Sequence, residues 1–409
     1  MNSSNVSSRT VITLIVVGVL LIAGGFIISQ ATPLIFPVEA SAESTQIDQL
    51  FRVALLIGGA IFLLVQGVLI YSVWRFRARP GDTTDGPPIH GSTTLEIVWT
   101  AIPAVIVMVL TILSYQVWSS IQSVKEDEQL VQVTGARFNW AFTYSTPDPR
   151  DAAAELTFKS TELHIYLGRP VLLKMQTQDV IHSFWVPALR MKQDLLPGRT
   201  TEYRFTPVAV EGETYPARYP VKCAELCGAA HGEMIAWVVV HETEADYAAW
   251  FDQEVDKVLN PPADPVLRGE SILASQVYPC HTCHVLSTDT LQWDGKVGPA
   301  LNGVADRAAT SRANATGLAA ADYLYQSIHE PGAYLVPGYS NLMPQLGIPE
   351  CEAWSIVAYL CTLSDSGAPT CTVELPAQCQ AAGAPPVEAT AEATEAPAEA
   401  AAEATPASS

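Results

Sequence analysis

The chain has 409 residues, which is long enough for two or three domains. Its mean hydropathy is positive and only 16% of its residues are charged, which argues against a wholly soluble protein. The formal net charge of −20 argues against nucleic acid as a partner, and it suits either a basic soluble partner or an acidic face that is only solvated.

The N-terminal third of the chain contains three long apolar runs, at 11–29, 51–73 and 98–118. Each is long enough to cross roughly 30 Å of hydrocarbon as a helix. The loop after the second run contains Arg75, Arg77 and Arg79. Basic loops face the cytoplasm, so the third run delivers everything after about residue 119 to the outside. Arg9, before the first run, agrees with this orientation.

The first apolar run is followed by Ala40-Ser41-Ala42, a small-residue pattern typical of signal-peptide cleavage. Residues 1–42 are therefore either a cleaved signal peptide or a retained first transmembrane helix. No cysteine follows the run, so the sequence gives no support for a lipid anchor there.

Four soft or borderline metal ligands lie within one twelve-residue segment, namely Cys223, Cys227, His231 and Met234. Thiolate, imidazole and thioether together favour copper. Two thiolates four residues apart exceed the needs of one blue-copper site, but they suit two coppers bridged by both sulfurs. His182 supplies a second imidazole. The alternative is a structural zinc site of two Cys and two His, against which Met234 argues because thioether is a poor zinc ligand.

A second redox motif follows downstream, Cys280-His-Thr-Cys283-His284, the pattern of a covalently attached c-type haem. The two thiols attach the haem and His284 becomes an axial iron ligand. Met343 is the candidate sixth ligand, with core packing as its alternative role. His281, between the two cysteines, is expected to be exposed rather than ligating.

The other four cysteines lie near the C-terminus, at positions 351, 361, 371 and 379. Cys351 and Cys361 would sit on one helix, roughly 15 Å apart and beyond the reach of a disulfide. If both pair, each must bond to Cys371 or Cys379.

Between the membrane segments and the haem motif, strand-like runs alternate with Pro and Gly turns, at 129–144, 155–166, 170–178, 200–206 and 233–241. Short strands at this spacing predict a β-sandwich or small Greek-key barrel. Residues 242–257 are predicted to form a helix, 260–265 a stiff linker, and 266–365 a mainly helical domain. Residues 381–409 contain Ala, Glu, Pro and Thr without a basic residue, and we expect them to be disordered.

Three segments resemble subunit II of cytochrome c oxidase across about residues 50–245: His182-Ser-Phe-Trp-Val-Pro, Lys192-Gln-Asp194-Leu-Leu-Pro-Gly-Arg199 and Cys223-x-Glu-x-Cys-x-x-x-His-x-x-Met234. The resemblance implies a cupredoxin-like β-sandwich with a binuclear copper (CuA) centre. It implies that Cys223 and Cys227 bridge both coppers. One copper would be completed by His182 and Met234, the other by His231 and the backbone carbonyl of Glu225.

The same resemblance implies three further roles. The Glu225 side chain would share a magnesium ion with subunit I, with Asp194 nearby. Glu96 would stand at the mouth of a proton path, although Thr93-Thr-Leu-Glu96 also fits a helix capping box. The family usually has a Trp where this chain has Phe138, and its second Trp matches Trp140. The first Trp receives electrons from soluble cytochrome c in the family, so Phe138 suits delivery from a tethered haem or simple packing.

Residues 266–365 resemble a class I cytochrome c, on the haem motif, Gly298-Pro-Ala-Leu-Asn-Gly303, Asn341-Leu-Met343-Pro344 and a terminal helix with Trp354. The chain is therefore predicted to be a multidomain membrane protein. Its parts are a signal peptide or first transmembrane helix (1–48), a transmembrane helical hairpin (49–125), a cupredoxin-like CuA domain (126–258), an all-α cytochrome c domain (259–366) and a Cys-containing extension with a disordered tail (367–409).

These resemblances imply subunit II of a proton-translocating haem–copper oxidase in the bacterial inner membrane, multi-pass, with both redox domains extracytoplasmic. Electrons would pass from a cytochrome c or cupredoxin donor to haem c, then to CuA, then to subunit I, where oxygen is reduced to water. Two alternatives remain at this point. One is the equivalent subunit of a CuA-containing nitric oxide reductase; the other is a stand-alone membrane-tethered electron shuttle.

Overall fold

The three apolar runs form long helices in the computed structural model of the protein, which describes residues 7–77, 81, 91–365 and 371–380. The helices are α1 Ser8–Ser29, continued by the short α2 Thr32–Ile35, then α3 Ala42–Arg75 and α4 Thr93–Gln122. By length and composition each of the three spans is apolar enough to cross a membrane. Most of their apolar side chains are exposed, as lipid-facing or partner-facing residues would be. Of the three predicted cytoplasmic arginines, Arg79 lies outside the described residues.

Helices α1 and α3 touch backbone to backbone at two glycines. A Cβ atom on Gly25 would come within 2.3 Å of the Leu56 carbonyl oxygen, and one on Gly59 within 3.3 Å of the Gly25 Cα. Small residues allow such close approach between helices in a membrane, where van der Waals packing replaces the hydrophobic effect.

The start of α3 is built into the β-domain that follows. Ser41 caps α3 by accepting from the Ser44 backbone N–H at 3.1 Å, and Ala40 and Ser41 are almost fully buried. Arg190, from the β-domain, donates Nε and Nη2 to the two carboxylate oxygens of Asp48 at 2.7 and 2.8 Å. The helix therefore begins before residue 49, inside the segment predicted as the first unit.

The predicted β-sandwich is confirmed as two five-stranded sheets. The strands are β1 Gln129–Ala136, β2 Asn139–Asp148, β3 Asp151–Ser160, β4 Glu162–Tyr166, β5 Val171–Thr177, β6 His182–Val186, β7 Met191–Leu195, β8 Thr201–Phe205, β9 Ala217–Cys223 and β10 Ile235–His241. One sheet has the order β3-β2-β1-β5-β8 and the other β4-β10-β9-β6-β7. Strands β1 and β5 are parallel, as are β4 and β10. Alternating apolar side chains from both sheets form one core, in a cupredoxin-like arrangement.

Several strand predictions were wrong in detail. Residues 129–144 are not one strand, because the chain reverses at Arg137 and Phe138 between β1 and β2. That two-residue loop contains no Gly or Asn, so no local turn signal marks it. Residues 155–166 divide into β3 and β4, which belong to different sheets. Strands β6, β7 and β9 were missed; Pro220 in β9 argues against a strand on local grounds.

The C-terminal domain is mainly helical, as predicted. The helix predicted at 242–257 is α5 Glu244–Leu259, which packs on the sandwich and precedes this domain. The helices of the C-terminal domain are α6 Pro265–Ala274, α7 Cys280–Cys283, α8 Val304–Arg307, the π-helix Ala308–Arg312, α9 Ala313–Thr316, α10 Ala320–His329, α11 Glu350–Leu360 and α12 Ala377–Gln380. A small hairpin joins β11 Val285–Ser287 to β12 Gln292–Asp294. Helices α6 and α11 cross closely, since a Cβ on Gly269 would lie 2.0 Å from the Ser355 carbonyl oxygen.

Two disulfides fasten the segment after α11 back onto that helix. Cys351 bonds to Cys379, and Cys361 bonds to Cys371. This confirms the prediction that Cys351 and Cys361 do not pair with each other and that each bonds to one of the two later cysteines. The predicted disordered tail, 381–409, lies outside the described residues.

Candidate metal centre

Strand pairing brings together ligands that are far apart in the sequence. His182 opens β6 and Cys223 closes β9, and the two strands are hydrogen-bonded neighbours in one sheet. Backbone bonds hold the following loop in place, because Ala224 N–H donates to the Ser183 carbonyl at 2.9 Å and Cys223 N–H donates to the Met234 carbonyl at 3.3 Å. The loop is therefore held at both ends by rigid strands.

Three buried side chains form the centre of the site. The Cys223 Sγ lies 3.8 Å from the His182 Nδ1 and 3.9 Å from the Cys227 Sγ. The ligand atoms of these three residues all lie within 4.8 Å of one another. Both cysteines are free, so their sulfurs are available as thiolates.

The remaining predicted ligands surround this centre. The Cys227 Sγ lies 3.5 Å from the His231 Nδ1 and 3.9 Å from the Met234 Sδ. The Cys223 Sγ lies 3.2 Å from the backbone carbonyl oxygen of Glu225. The structure thus brings together all six groups that the sequence predicted, although they come from two strands, a loop and the turn His231–Glu233.

The imidazole of His182 is oriented by a carboxylate that sequence reasoning missed. Its Nε2 lies 2.8 Å from the Asp179 Oδ1. The other carboxylate oxygen accepts from the Arg137 backbone N–H at 2.8 Å and from its Nε at 3.2 Å. Because Asp179 holds Nε2, Nδ1 is the ring nitrogen that faces Cys223 and that a bound metal would use. Asp179 lies three residues before His182, but its role depends on Arg137, which is distant in sequence.

Electrostatics favour one thiolate at a time in the absence of metal. Burial raises the pKa of Cys223, but hydrogen bonds from His182 and from the backbone outweigh burial and lower it below the ordinary value. Burial and the neighbouring negative charge of Cys223 raise the pKa of Cys227. Burial acts to lower the pKa of His182, but the hydrogen bond to Asp179 raises it overall. A cation bound between the sulfurs would stabilise both thiolates together.

The donor set fits copper better than zinc. The site contains two thiolates, two imidazoles and one thioether, all within a few ångströms of one another. Thiolate and thioether ligands select copper, and Met234, fully buried against Cys227, has no place in a tetrahedral zinc site. The residues present therefore fit a pair of coppers.

Two aromatic side chains support the site. Trp140 is fully buried, with its ring centroid 6.0 Å from that of His182. Its indole Nε1 is buried without a hydrogen-bond partner among the described residues. Phe138, 6% exposed, packs against the copper loop, because a Cβ on Gly228 would lie 3.0 Å from its ring. Trp140 therefore contacts the His182 side of the site and Phe138 the Cys227 side.

Two further predicted positions have different surroundings. The Asp194 Oδ1 accepts from the hydroxyl of Ser183, the residue after His182 in β6, at 2.7 Å. The Glu225 side chain is exposed.

The capping-box alternative for Glu96 was wrong. Helix α4 begins at Thr93 with Ser92 as its N-cap, and the Ser92 side chain makes no capping hydrogen bond. Glu96 lies on the fourth helical position, one residue beyond the reach of a capping box.

The haem motif lies at the start of the C-terminal domain. Cys280 and Cys283 are free, and His284 Nδ1 donates to the Pro299 carbonyl at 2.7 Å, which leaves the Nε2 lone pair for a metal. Burial lowers the pKa of His284. A Cβ on Gly298 would lie 2.7 Å from the imidazole Cε1, so only glycine allows this approach. These residues fit a covalent haem. Met343 is half-buried in the 341–349 segment.

His281 was predicted to be exposed, and this prediction was wrong. It is half-buried, and its Nδ1 is buried without a partner among the described residues. Burial lowers its pKa. The imidazole is packed near Trp293, at 6.3 Å between ring centroids, because the short helix α7 lies against the β11–β12 hairpin.

Fold and site together define a membrane protein with an extracytoplasmic cupredoxin-like domain that carries a sulfur-rich candidate metal site. The family described as "Cytochrome C oxidase subunit II, transmembrane domain" matches residues 29–117, and its periplasmic domain matches 131–242. "Cytochrome c oxidase subunit 2" of Synechocystis sp. is 36% identical over 53% of this chain and 74% of its own length. The protein of the same name from Thermostichus vulcanus is 34% identical over 58% of this chain and 84% of its own length. The chain belongs to the cytochrome c oxidase subunit II family.

Among solved structures, the periplasmic domain of subunit II of cytochrome oxidase from Bradyrhizobium japonicum is 24% identical to this chain. The match covers 33% of this chain and 99% of the solved domain, with a TM-score of 0.28. The two named relatives and the two family matches make the protein part of the cytochrome c oxidase complex, in which subunit II partners with subunit I. The C-terminal domain lies beyond both matched family regions.

Proposed function

We propose that this chain receives electrons at a haem c in its C-terminal domain and passes them through a binuclear CuA centre to subunit I. There, oxygen is reduced to water and protons are translocated. The observation that carries the proposal is the convergence of two imidazoles, a thioether and a backbone carbonyl around the two buried cysteine sulfurs.

The copper domain contributes a rigid cage for the metals. The residues that would hold them are Cys223, Cys227, His182, His231, Met234 and the backbone carbonyl of Glu225. Two coppers that share one electron would supply one-electron transfer with little reorganisation. Asp179 fixes the imidazole of His182, and strands β6, β9 and β10 hold the ligand loop at both ends, so the ligands have little freedom to move between oxidation states.

The C-terminal domain contributes the haem-holding residues. Cys280 and Cys283 would hold the haem covalently, and His284 and Met343 would be its iron ligands. Bound haem iron with His and Met ligands supplies a one-electron carrier of raised potential. Pro299 holds the imidazole in the tautomer that ligation requires, and Gly298 leaves room for the ring.

The membrane context of the proposal follows the family. The chain would be multi-pass in the bacterial inner membrane, with both redox domains outside and a cytochrome c or cupredoxin as donor. Glu96, one turn into α4, would admit protons from the cytoplasmic side. Glu225, with Asp194 nearby, would share a magnesium ion with subunit I. The proposed domain limits of 126–258 and 259–366 are supported by the break between α5 and α6.

The proposal is tested by a matched pair of substitutions in the complete oxidase. In Cys223→Ser we expect copper and oxygen turnover to be lost while haem stays attached. In Cys280→Ser combined with Cys283→Ser we expect covalent haem to be lost while copper stays bound. Copper, zinc and iron per chain and oxygen consumption are measured for both. Normal turnover in the Cys223 variant, or zinc in place of two coppers in the wild-type protein, would contradict the proposal.

A further inference from the structure

We infer that the C-terminal domain docks on the copper domain beside Phe138, at the corner where the chain reverses between β1 and β2. We call this docking interface the seat, and we infer that it keeps an external electron donor away from that corner. The redox consequence rests on the proposed function, but the seat itself does not. Its contacts join the 276–283 segment, which leads into the haem motif, to the β1–β2 corner and to β3.

The first contact is a hydrogen bond across the two domains. The Asn139 side-chain amide donates to the backbone carbonyls of Gln276 at 3.3 Å and Val277 at 3.4 Å. Asn139 is the residue after Phe138, and Val277 lies three residues before Cys280. The bond therefore joins the corner of the copper site to the approach of the haem motif.

The second contact involves Lys159 of β3. Its Nζ lies 5.3 Å from the ring centroid of Tyr278, within the range of a cation–π interaction. Tyr278 is 7% exposed, and its hydroxyl donates to Glu352 of α11 at 2.7 Å, so the ring is fixed by its own domain. The lysine therefore meets a rigid aromatic face.

Apolar packing supports these two polar contacts. Cys283, one of the two proposed haem-attaching cysteines, packs against the core cluster of the copper domain. The narrow cleft between the domains is lined on one side by residues of β1, β2 and β3 and on the other by residues 277–279 and Leu346. The two proposed redox sites thus face each other across one interface.

In this arrangement, electron transfer from haem to copper and electron delivery by a soluble donor use different surfaces of the chain. The corner of the copper domain next to Phe138 is occupied by this chain, so a soluble donor reaches the C-terminal domain instead. Phe138 lies between the seat and the copper loop, in contact with Gly228, which follows Cys227. Phe138 is smaller than the Trp that the family usually has at this position. The smaller ring is sufficient for electron entry because the donor domain is tethered to the copper domain and need not be recognised in solution.

The seat is tested by hydrogen exchange in the purified oxidase, following backbone amides of 276–283. The variant is Asn139→Ala combined with Lys159→Met, which keeps the length of the lysine stem. Two controls are used: Lys159→Arg, which keeps the cation, and Lys257→Met, which removes an exposed lysine of α5 paired with Glu254. We expect exchange of 276–283 to be about tenfold faster in the double variant and unchanged in both controls.

A second readout separates the seat from the proposed redox role. With copper and haem content verified, we expect electron transfer from haem to copper after flash reduction to slow in the double variant only. If 276–283 exchanges at the unprotected rate in the wild-type protein, or equally in the double variant and the wild type, the seat is refuted. If exchange responds as expected while haem or copper is absent, the seat stands and the proposed function fails.

Discussion

Replacing Asp179 by Asn tests whether an outer carboxylate holds the copper ligands in position. In the folded protein this carboxylate bonds to the His182 Nε2, the Arg137 backbone N–H and the Arg137 Nε. The amide has nearly the same size, but it has no charge and only one acceptor oxygen. Hydrogen bonds to a charged group contribute about 1.5–3 kcal/mol each, so we expect the free energy of unfolding of the copper-free protein to fall by about 3 kcal/mol.

The effect on metal binding follows from the orientation of His182. Without the carboxylate, the imidazole is free to rotate or to change tautomer, and its Nδ1 no longer stays directed at the 3.8 Å contact with Cys223. Loss of such a supporting bond typically weakens metal affinity about 10- to 100-fold, or about 1.4–2.7 kcal/mol. Copper titration against a competing chelator at pH 7, with the visible absorption of the thiolate-bound metal, measures this directly.

The pH of the measurement matters because the pKa of the Asp179 carboxyl group is lower in the folded protein than in the unfolded chain. Burial acts to raise the pKa of Asp179, but bonds from His182, Arg137 and Val180 lower it overall, below its unfolded value. Its stabilisation is therefore fully present above about pH 4 and is lost only as pH falls further, so pH 7 shows the whole effect.

The matched control is Asp148→Asn, at the far end of β2, where the carboxylate binds Arg150 and contacts no predicted ligand. We expect that variant to retain wild-type copper affinity. Wild-type affinity in the Asp179 variant would refute the positioning role.

Three further outcomes follow from the structure. In Gly25→Leu the side chain would meet the α3 backbone, so we expect a lower melting temperature of the complex, whereas Gly18→Leu, with nothing within 4 Å, should melt like the wild type. Burial lowers the pKa of His241. The unfolded chain therefore binds a proton at about pH 6.5 that the folded chain binds only at lower pH, so this group reduces stability as the pH falls from about 7 to about 5. In His241→Phe we expect the pH dependence of the free energy of unfolding, obtained from melting curves, to be smaller by up to about 1.4 kcal/mol per pH unit. Removing the disulfide by Cys361→Ser with Cys371→Ser should cost about 2–3 kcal/mol in denaturant unfolding of the C-terminal domain, and an unchanged midpoint would contradict its stabilising role.

The membrane helices and the composition of the metal site could be predicted from the sequence because their signals are local. A run of apolar residues determines a membrane helix by length alone. Cys223, Cys227, His231 and Met234 fall within one loop, so chemistry and spacing were enough to predict copper there. His182 was found through family resemblance, since 41 residues separate it from Cys223.

Tertiary structure decided the features that depend on pairing across the chain. The reversal at Arg137 and Phe138 has no local turn signal; it is set by the pairing of β2 with β1 and by Asp179, which binds the Arg137 backbone. The same holds for the choice between Cys371 and Cys379 as disulfide partners, and for the contact of Asn139 with the C-terminal domain. Periodicity in a sequence records which side of an element is buried. The residues that meet there are chosen by the packing of the whole domain, which no single segment contains.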